Sequence, residues 1–303
     1  GELVLPDDAP SADGADRDAT ASESLTDAES ILSECLSAAV PQQWLSWHYR
    51  SQDESLIAFS NLHYYEGRLS SFPAPGLGVG GGHSDRGLSL VRVGGVFERS
   101  GKGKTLRTNR KEAEAIVEEI RRRFEASPEA VPSIGVVTFN QQQRAFIEAL
   151  IRDGGDTRII EALDSTQEEG LFIKNLENVQ GDERDVILFS TAFSVNANGV
   201  LPLNFGPLSL EGGERRLNVA ITRARRQVVL FTSFEPSQLR AEETKNVGVK
   251  HLRAYLEMAD VGARALESAR LRRRDRDLHR EDIADALKER GFVVETDVGL
   301  SDF

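Results

Sequence analysis

Several residue types are scarce in this 303-residue chain, and each scarcity argues against a class of protein. The single cysteine, Cys35, makes an internal disulfide framework impossible and favours a reducing, cytoplasmic compartment. No stretch of about eighteen consecutive apolar residues occurs, which argues against a membrane span. The start lacks a basic segment followed by an apolar one, so a secretory signal is not indicated. Within "ESILSECLSAAV", Cys35 is expected to be a buried helical thiol rather than a nucleophile.

Lysine is also scarce, and the chain as a whole is acidic. It has 49 acidic residues against 37 lysines and arginines, and a formal net charge of -12. This balance argues against a generally basic nucleic-acid coat, so any contact with nucleic acid must be local and directed at phosphates. Because arginine offers a planar fork that matches phosphate oxygens, the positions of single arginines are informative.

The composition changes along the chain and divides it into four segments. Residues 1–28 are rich in Asp, Ala, Ser and Pro, which predicts an acidic disordered linker. An α/β domain is expected over residues 29–240, followed by a helical, arginine-rich connector over residues 241–277. Residues 278–303 have the pattern of a helix and then a strand at Phe292 to Val294, as at the start of another domain. Because the chain begins without Met and ends abruptly, we expect a piece of a longer protein.

Apolar strands alternate with amphipathic helices along the middle of the chain. Strands are expected in "LSLVRVGGVFE", "SIGVVTF", "LFIKNL", "DVILFSTAF" and "QVVLFTSF", and helices over residues 27–39, 55–65, 109–125, 141–153 and 213–225. Thr108 or Asn109 is available to cap the third of these helices. Strands that are apolar without polar alternation indicate a mainly parallel sheet with helices on both faces. Because ligands bind at the carboxyl ends of such strands, functional loops are expected after Phe139, Leu176 and Phe193 and around the helix of residues 213–225.

The stretch "ERSGKGKTLRTN" contains Gly103, Lys104 and Thr105, which is how a phosphate-binding P-loop ends. The P-loop pattern needs a glycine five residues before Gly103, and that position is Glu98. The following "LRTNRKE" also does not open the apolar helix whose amino terminus would hold phosphate. We therefore predict a charged hairpin tip here and no complete nucleotide cradle in this chain.

Four arginines, Arg215, Arg216, Arg223 and Arg225, fall within "GERRLNVAITRAR", which has the apolar spacing of one amphipathic helix. Arg216 and Arg223 are seven residues apart and would project at nearly the same angle beside the apolar stripe. One interpretation is a solvated basic face. The other is a phosphate clamp, because planar guanidinium groups match phosphate oxygens. Small residues in the stripe favour the clamp, since they let the helix pack closely.

Two further stretches offer groups suited to a nucleotide or a nucleic acid. In "NLENVQGDERDVILFST", Gly181 permits a tight turn, and Gln180 and Glu183 provide an amide and a carboxylate for a ribose hydroxyl or a phosphate contact. An ordinary polar turn could carry the same residues. In "WLSWHYRSQDESLIAFSN", aromatic residues bracket Arg50, either as core anchors or as base-stacking platforms: Trp44, Trp47 and Tyr49.

Four of these stretches resemble the motifs of one family in order and spacing. They are "HYRS", "IGVVTFNQQQ", "VQGDERDVILFST" and "GGERRLNVAITRARRQVVLFTS". Over about residues 29–235 the chain resembles the second motor domain of superfamily 1 helicases, closest to the group of nonsense-mediated-decay and Okazaki-processing helicases. It looks like large bacterial members with a C-terminal Vsr-like endonuclease domain, of which residues 278–303 resemble only the start. The resemblance implies an α/β, RecA-like P-loop NTPase fold that lacks the Walker A loop.

The resemblance also implies roles for particular residues. Arg50 and Arg223 would reach the γ-phosphate of ATP, which is held with Mg²⁺ mainly by a first RecA-like motor domain of the same protein. Glu183 would contact the ribose, while Gln180 and Gly181 would connect the nucleotide to the nucleic-acid groove. A further set would contact a single strand of DNA, or of RNA: Asn61, Thr138, Asn140 and Glu177. Relatives often have Thr-Pro-Tyr where this chain has Thr-Phe-Asn at residues 138–140, so this loop departs from the family's pattern.

The function implied is that of the C-terminal half of an ATP-dependent superfamily 1 DNA helicase or translocase, a cytoplasmic bacterial enzyme. Without a P-loop, this chain alone is expected not to hydrolyse ATP. Two alternatives stay open: a non-catalytic nucleic-acid-binding module that kept the motor fold, and a DNA-delivery arm of a nuclease in a defence system. No cluster of His, Cys or carboxylate residues has the spacing of a metal site, so no metal ligand is expected.

Overall fold

The computed structural model describes residues 31–72, 86–100, 103, 105–165, 169–261 and 278–294, so the predicted acidic linker lies outside the described residues. The chain divides into two compact units, residues 1–45 and 46–303. In the described part of the first unit, the helix α1 (Ile31–Ser37) is followed by an irregular segment. Cys35 on α1 is exposed, so the expectation of a buried thiol is wrong. The helix has only 7 residues, and every residue of α1 whose side chain is described is exposed.

The second unit alternates strands and helices, as the sequence predicts. Its strands are β1 (Trp47–His48), β2 (Ser70–Ser71), β3 (Gly87–Arg92), β4 (Ile134–Thr138), β5 (Leu171–Asn175), β6 (Arg184–Ser194) and β7 (Ala224–Ser233). Its α-helices are α2 (Ser55–Tyr64), α3 (Arg110–Ala126), α4 (Gln141–Asp153), α5 (Thr157–Asp164), α6 (Gly213–Ile221), α7 (Val247–Val261) and α8 (Leu278–Glu289). Short 3-10 helices lie at Gly206–Ser209, Pro236–Gln238 and Ala241–Glu243. None of the described helices combines the length and apolar character that crossing a lipid bilayer would require.

Five strands form one sheet in the order β3, β7, β6, β4, β5, and every neighbouring pair is parallel. The strand β6 is central, with Ile187 opposite Gly135 of β4 on one side and Val228 of β7 on the other. Connections between parallel strands cross over the faces of a sheet and bury both of them. This explains why the strands read as apolar runs rather than as alternating ones.

Alternate residues of each strand enter two separate cores. Ile187 and Phe189 of β6 belong to the core formed with α2, α6 and α7, whereas Val186 and Leu188 belong to the core formed with α3, α4 and α5. This period of two follows from the pleat of an extended chain. The predicted α/β fold, a mainly parallel RecA-like sheet with helices on both faces, is confirmed.

Polar side chains fix where three of the helices begin. Asn109, Asn140 and Asp156 each accept a hydrogen bond from a backbone amide two or three residues further on, and they cap α3, α4 and α5. The structure confirms two predictions, the cap at Asn109 and the end of α4 before Gly154. Helix α5 was not expected, because its 8 residues are too few to give a clear helical period.

The predicted arginine helix, residues 213–225, is divided between a helix and a strand. Helix α6 ends at Ile221, and β7 begins at Ala224, which pairs with Arg184 of β6. Arg223 therefore lies at the junction and Arg225 lies on the strand, so the prediction of one continuous helix is wrong. The neighbouring strand supplies the backbone hydrogen bonds that another helical turn would supply, and local spacing does not reveal that partner.

The stretch with the P-loop-like ending forms a hairpin. The amide of Glu98 donates to the carbonyl of Thr108 at 2.9 Å, and the amide of Arg107 donates to the carbonyl of Glu98 at 2.7 Å. Phe97 also pairs with Asn109 in an antiparallel bridge. We call residues 97–99 and 107–109 the arginine hairpin. The prediction of a hairpin is confirmed for these residues.

Two other expectations concern the end of the chain. The strand predicted at Phe292 to Val294 is not formed: these residues follow α8 without regular structure, and no described strand pairs with them. A strand needs such a partner for its backbone groups. Helix α7 lies after residue 240, the predicted end of the α/β domain. Its Leu252, Tyr255 and Leu256 are nevertheless buried in the same core as α6. The division into four segments stays a prediction.

Two glycines let α6 and α7 approach the 3-10 helix of residues 206–209. A Cβ atom on Gly213 would lie 2.1 Å from the carbonyl oxygen of Leu208, and a Cβ atom on Gly248 would lie 2.4 Å from the same oxygen. Both contacts are with backbone, which cannot rotate away as a side chain would. Close packing here holds α6, and with it the junction that carries Arg223.

Replacing Gly213 with alanine is expected to lower the free energy of unfolding by about 1–3 kcal/mol, because the added methyl group overlaps the Leu208 carbonyl. The measurement is urea unfolding followed by circular dichroism. Gly94→Ala is the matched control, since a Cβ atom there meets nothing within 4 Å. Equal unfolding midpoints for Gly213→Ala and Gly94→Ala would contradict the prediction.

Candidate functional site

The segment from His48 to Gln52 forms a tight turn that docks on the start of β7. The amide of Ser51 donates to Nε2 of His48 at 3.2 Å, and the amide of Gln52 donates to the carbonyl of Arg225 at 2.6 Å. Burial, followed by the charge of Arg50, lowers the pKa of His48 to about 4, so the ring is neutral at pH 7 and accepts from the amide. The turn presents Arg50 beside the junction of α6 and β7.

Arg50 is bound to Glu183, which lies in the loop before β6. Nε of Arg50 is 2.7 Å from Oε2 of Glu183, and Nη1 donates to the carbonyl of Thr222 at 3.4 Å. Arg225 contacts the other carboxylate oxygen of Glu183 at 3.5 Å. These contacts, that from Arg50 foremost, hold the pKa of the Glu183 carboxyl below its usual range. The carboxylate therefore stays ionised between two guanidinium groups.

Arg225 connects the amino ends of three further strands. Its two Nη atoms bind Glu169 at 2.8 and 2.9 Å, and its Nε binds Asp185 at 2.7 Å. It also donates to the hydroxyl of Ser133 at 3.2 Å. Hydrogen bonding to Arg225 lowers the pKa of Glu169 to about 2, and the bound carboxylates raise the pKa of Arg225. Arg225 is therefore a salt-bridge partner of the carboxylates at these strand ends.

Arg223 lies near Arg50 and Glu183 but has no carboxylate partner among the described residues. Its Nη2 donates to the hydroxyl of Thr222 at 3.0 Å, whereas its Nε is buried and has no hydrogen-bond partner there. Burial, followed by the charge of Arg50, lowers the pKa of Arg223. A half-buried guanidinium beside another cation, with an unused donor, favours a bound anion.

This group, Arg50, Glu183 and Arg223, lies at the amino ends of β6 and β7, where Arg184 pairs with Ala224. Glu183 and Arg223 do lie in the loop after Leu176 and in residues 213–225, as expected, but at the amino rather than the carboxyl ends of their strands. The loop after Leu176 does leave from the carboxyl edge, but it must return to the amino edge before a parallel strand can start. Glu183 is the last residue of that return.

Gln180 and Gly181 lie in this loop between β5 and β6. Gly181 has a φ of 90°, a left-handed conformation that favours glycine, so the tight turn predicted from its sequence is confirmed. Gln180 is exposed. An ion pair of 2.6 Å between Lys174 and Asp182 joins the loop to β5. The predicted link from these residues to a nucleotide stays a prediction.

Thr138, Asn140 and Glu177 lie at the opposite, carboxyl edge, where β4 and β5 end. The amide of Leu176 donates to the carbonyl of Thr138 at 2.9 Å, so the two loops leave the sheet side by side. Thr138 is fully buried and its hydroxyl donates to the carbonyl of Asn140 at 2.8 Å, whereas Glu177 is exposed. The structure brings these residues to one edge, and their contact with nucleic acid stays a prediction.

Asn61 is engaged within the protein. Its amide nitrogen donates to the carbonyl of Leu69 at 2.8 Å, and its oxygen accepts from the amide of Leu69 at 2.9 Å. The side chain thereby closes the turn that follows α2. Its predicted contact with nucleic acid would need one of these hydrogen bonds to be exchanged.

The aromatic residues around Arg50 lie on the surface. Trp47 is 51% exposed and Tyr49 is 83% exposed, so neither is a core anchor. Trp47 packs against the exposed Phe72, with ring centroids 5.2 Å apart. Trp44, in the first unit, is exposed as well. Of the two interpretations of these side chains, the structure excludes core anchoring.

A buried polar network that no sequence motif indicated joins α3 and α4 to the carboxyl ends of β6 and β7. Its side chains are the buried Asn109, Glu112, Gln143 and Ser190 and the half-buried Ser233. Glu112 accepts from the hydroxyl of Ser190 at 2.8 Å and from the amide of Ala192 at 2.7 Å. Ala192 has a φ of 64°, which is unusual for a residue other than glycine. The network therefore holds a bent segment of β6. In the sequence, the local indication of this network is the spacing of Asn109 and Glu112 at a helix start.

Comparison with known proteins identifies relatives of most of the second unit. A family model described as an AAA domain matches residues 28–235. Two proteins named as uncharacterized ATP-dependent helicases, from Mycoplasma pneumoniae and Mycoplasma genitalium, are each 33% identical over 218 residues, 70% of this chain and 18% of the relative. The chain thus spans less than a fifth of their length. The solved C-terminal domain of a possible DNA helicase from Lactobacillus plantarum aligns over 61% of this chain and 86% of that chain, with 11% identity and a TM-score of 0.33.

Replacing Glu112 with glutamine is expected to change how stability depends on pH. Burial raises the folded-state pKa of Glu112 from 4.5 to about 7. Between these values the contribution of Glu112 therefore lowers the unfolding free energy of the wild type by about 1.4 kcal/mol for each unit of rising pH, because folding must take up a proton. Glutamine does not titrate, so Glu112→Gln should gain stability relative to the wild type from about pH 5 to about pH 7.

Urea unfolding at the two pH values measures this difference. Glu114→Gln, at an exposed position on the same helix, is the matched control. If the difference between Glu112→Gln and the wild type is the same at both pH values, Glu112 is ionised in the folded chain and the prediction fails.

Proposed function

The chain belongs to the AAA domain family whose model it matches, and from this membership we propose that it is the second, C-terminal motor domain of an ATP-dependent superfamily 1 helicase. The names of the two helicase relatives support a motor function. The proposed partner is a first RecA-like motor domain of the same protein, which would hold the P-loop. The complete protein would use ATP to move along a single strand of DNA.

The observation that carries this proposal is the uncompensated charge of Arg223. The guanidinium is half-buried, lacks a carboxylate partner among the described residues and has a buried, unused Nε donor. A second cation, Arg50, lies close enough to lower its pKa. Of these two adjacent guanidinium groups only Arg50 is paired with a carboxylate of the described residues, Glu183, so the pair keeps an excess of positive charge that a nucleotide phosphate would neutralise.

Each residue of the group would have a distinct part in ATP hydrolysis. Arg223 would act as an arginine finger and stabilise negative charge on the phosphoryl group as it leaves, and Arg50 would assist at the same phosphate. Glu183 balances the charge of Arg50 and would accept a hydrogen bond from a ribose hydroxyl. Arg225 would position the group, because its ion pairs hold the strand ends on which Glu183 and Arg223 are carried.

The described residues fit the phosphate end of ATP. The unused donors of Arg223 suit phosphate oxygens. In contrast, no group of three His, Cys, Asp or Glu side chains among the described residues is placed to hold a metal ion. Mg²⁺, which neutralises charge on the nucleotide phosphates when bound, would be held mainly by the first motor domain, as the family resemblance implies.

The nucleic-acid strand would bind at the carboxyl edge of the sheet. Thr138 and Asn140 open the loop after β4, and Glu177 lies in the adjacent loop after β5. Gln180 and Gly181 lie in the same loop as Glu177, between the carboxyl edge and Glu183 at the amino edge. Movement of this loop would link the proposed strand contacts to the proposed nucleotide contacts.

In the full-length protein, Arg223→Ala is expected to reduce ATP turnover in the presence of single-stranded DNA by about a thousandfold or more, the usual contribution of an arginine finger. Binding of ATP and of DNA should persist, since both are made mainly by other groups. The matched control is Arg216→Ala, which removes an α6 guanidinium whose one hydrogen bond to the described residues is to the carbonyl of Glu211 at 3.0 Å.

Two results would contradict this assignment in different ways. Wild-type turnover by Arg223→Ala would remove Arg223 from the reaction while leaving the motor proposal intact. A wild-type protein that binds DNA but shows no DNA-stimulated turnover would favour the alternative of a non-catalytic nucleic-acid-binding module.

The isolated 303-residue chain is expected to show no ATP hydrolysis above background, because Glu98 stands where the P-loop pattern needs its first glycine. Steady-state phosphate release with the full-length protein as the positive control measures this. Turnover by the isolated chain that is lost in Arg223→Ala would show that it holds a complete site of its own.

A further inference from the structure

A cavity of about 330 Å³ lies between the arginine hairpin and the loops that follow β4 and β6. Its lining residues are Phe97, Arg99, Arg107, Asn140, Gln142, Phe193, Asn204 and Gly206. None of the described residues that line it is acidic. The loop that begins at Asn140 is the one proposed to contact a nucleic-acid strand, so the cavity extends that edge toward the hairpin.

Two arginines give this cavity a local positive charge. Arg99 donates to the carbonyls of Phe97, at 3.3 Å, and Ser194, and its guanidinium lies 5.3 Å from the centre of the Phe97 ring. Arg107 makes no side-chain hydrogen bond or ion pair with the described residues. Neither arginine has a carboxylate partner among them, although the chain carries a net charge of -12. Charge left unbalanced in an acidic protein attracts anions to that place.

The backbone holds Arg107 in a conformation that favours glycine. Its φ is 60°, and its amide is fixed by the hydrogen bond of 2.7 Å to the carbonyl of Glu98. Residues other than glycine rarely adopt this conformation, and strained positions of this kind cluster at ligand sites. An arginine is thus kept where a glycine would be less strained.

Asn140 adds a donor to the cavity. Its side-chain oxygen accepts from the amide of Gln143 at 2.7 Å to cap α4, and its Nδ2 is buried without a partner among the described residues. The amino end of α4, which has 13 residues, also favours negative charge. The cavity therefore combines two unbalanced guanidinium groups with an unused amide donor.

We propose that this cavity binds a backbone phosphate of a single nucleic-acid strand, with Arg99 and Arg107 as its ligands and Asn140 as a further donor. The inference rests on the proposed function, which supplies the strand. The rings of Phe97 and Phe193, whose centroids are 4.8 Å apart, give the cavity an apolar floor against which the sugar would pack. DNA and RNA share the phosphate and the sugar ring, so the cavity itself accepts either strand.

The test measures how the full-length protein binds a fluorescent single strand of about 20 nucleotides at several salt concentrations. Arg107→Gly is the first variant, because it removes the guanidinium and relaxes the left-handed backbone, so loss of folding does not explain weaker binding. The second is Arg99→Ala/Arg107→Gly. The matched control, Arg121→Ala/Arg152→Ala, removes two positive charges from exposed ion pairs on α3 and α4.

We expect Arg107→Gly to weaken binding by about tenfold and to reduce the slope of log affinity against log salt by about 0.7, the share of one phosphate contact. The double variant should bind more weakly still, but its slope should fall by the same amount of about 0.7 because both arginines contact one phosphate, while the control keeps the wild-type slope. DNA and RNA strands of one sequence, measured in parallel, identify which strand the protein prefers. Wild-type affinity and slope in both arginine-hairpin variants would overturn the proposal.

This outcome is distinct from failure of the proposed function, which is read from strand-stimulated ATP turnover by the wild-type protein. If turnover is stimulated and the hairpin variants need about tenfold more strand for half-stimulation, both proposals hold. If turnover is stimulated and the variants match the control, only the cavity proposal fails. If the wild type binds the strand through the hairpin without any stimulation, only the motor proposal fails.

Discussion

The pairing of β6 with β7 is the contact on which both edges of the sheet depend. At one end it sets Arg184 opposite Ala224 and so brings Glu183 beside Arg223. At the other end it brings Ser194 opposite Ser233, close to the bent segment that the buried network holds. The strand β6 is buried on both faces. A shift of its register by one residue would move each apolar side chain into the opposite core, so the register is strongly fixed. The register in turn fixes the positions of the charged groups at the two edges.

The arginines of this acidic chain fall into two classes that sequence proximity does not separate. Arg225 is surrounded by carboxylates and connects the ends of neighbouring strands through ion pairs. Arg223, two residues earlier, has none among the described residues, and the same is true of Arg99 and Arg107 at the opposite edge. The charge of a guanidinium group that is paired with carboxylates is balanced within the protein. A guanidinium group without such a partner is stabilised by binding an anion. The proposed nucleotide and strand sites are both defined by this difference.

Much of the fold was predictable because its signals are local. Runs such as "DVILFSTAF" identify buried strands, and Asn109 and Gly154 mark a helix start and a helix end through their own hydrogen-bonding and backbone preferences. The division of the arginine helix was not predictable, since it depends on the strand beside Ala224. The exposure of Cys35 and the irregular course of residues 292–294 also depend on the presence or absence of a packing partner among the described residues.

By itself the sequence determined the alternation of strands and helices, the hairpin in place of a phosphate cradle, and the motifs that contain Arg50, Glu183 and Arg223. Only the tertiary structure decided that these three residues meet at the amino ends of β6 and β7, that Arg225 is neutralised while Arg223 is not, and that Glu112 is buried in a polar network. The physical reason is the range of the forces involved. Backbone preferences and apolar periodicity act within a few residues, whereas burial and the balance of charge depend on groups that are more than a hundred residues apart, such as Arg50 and Glu183.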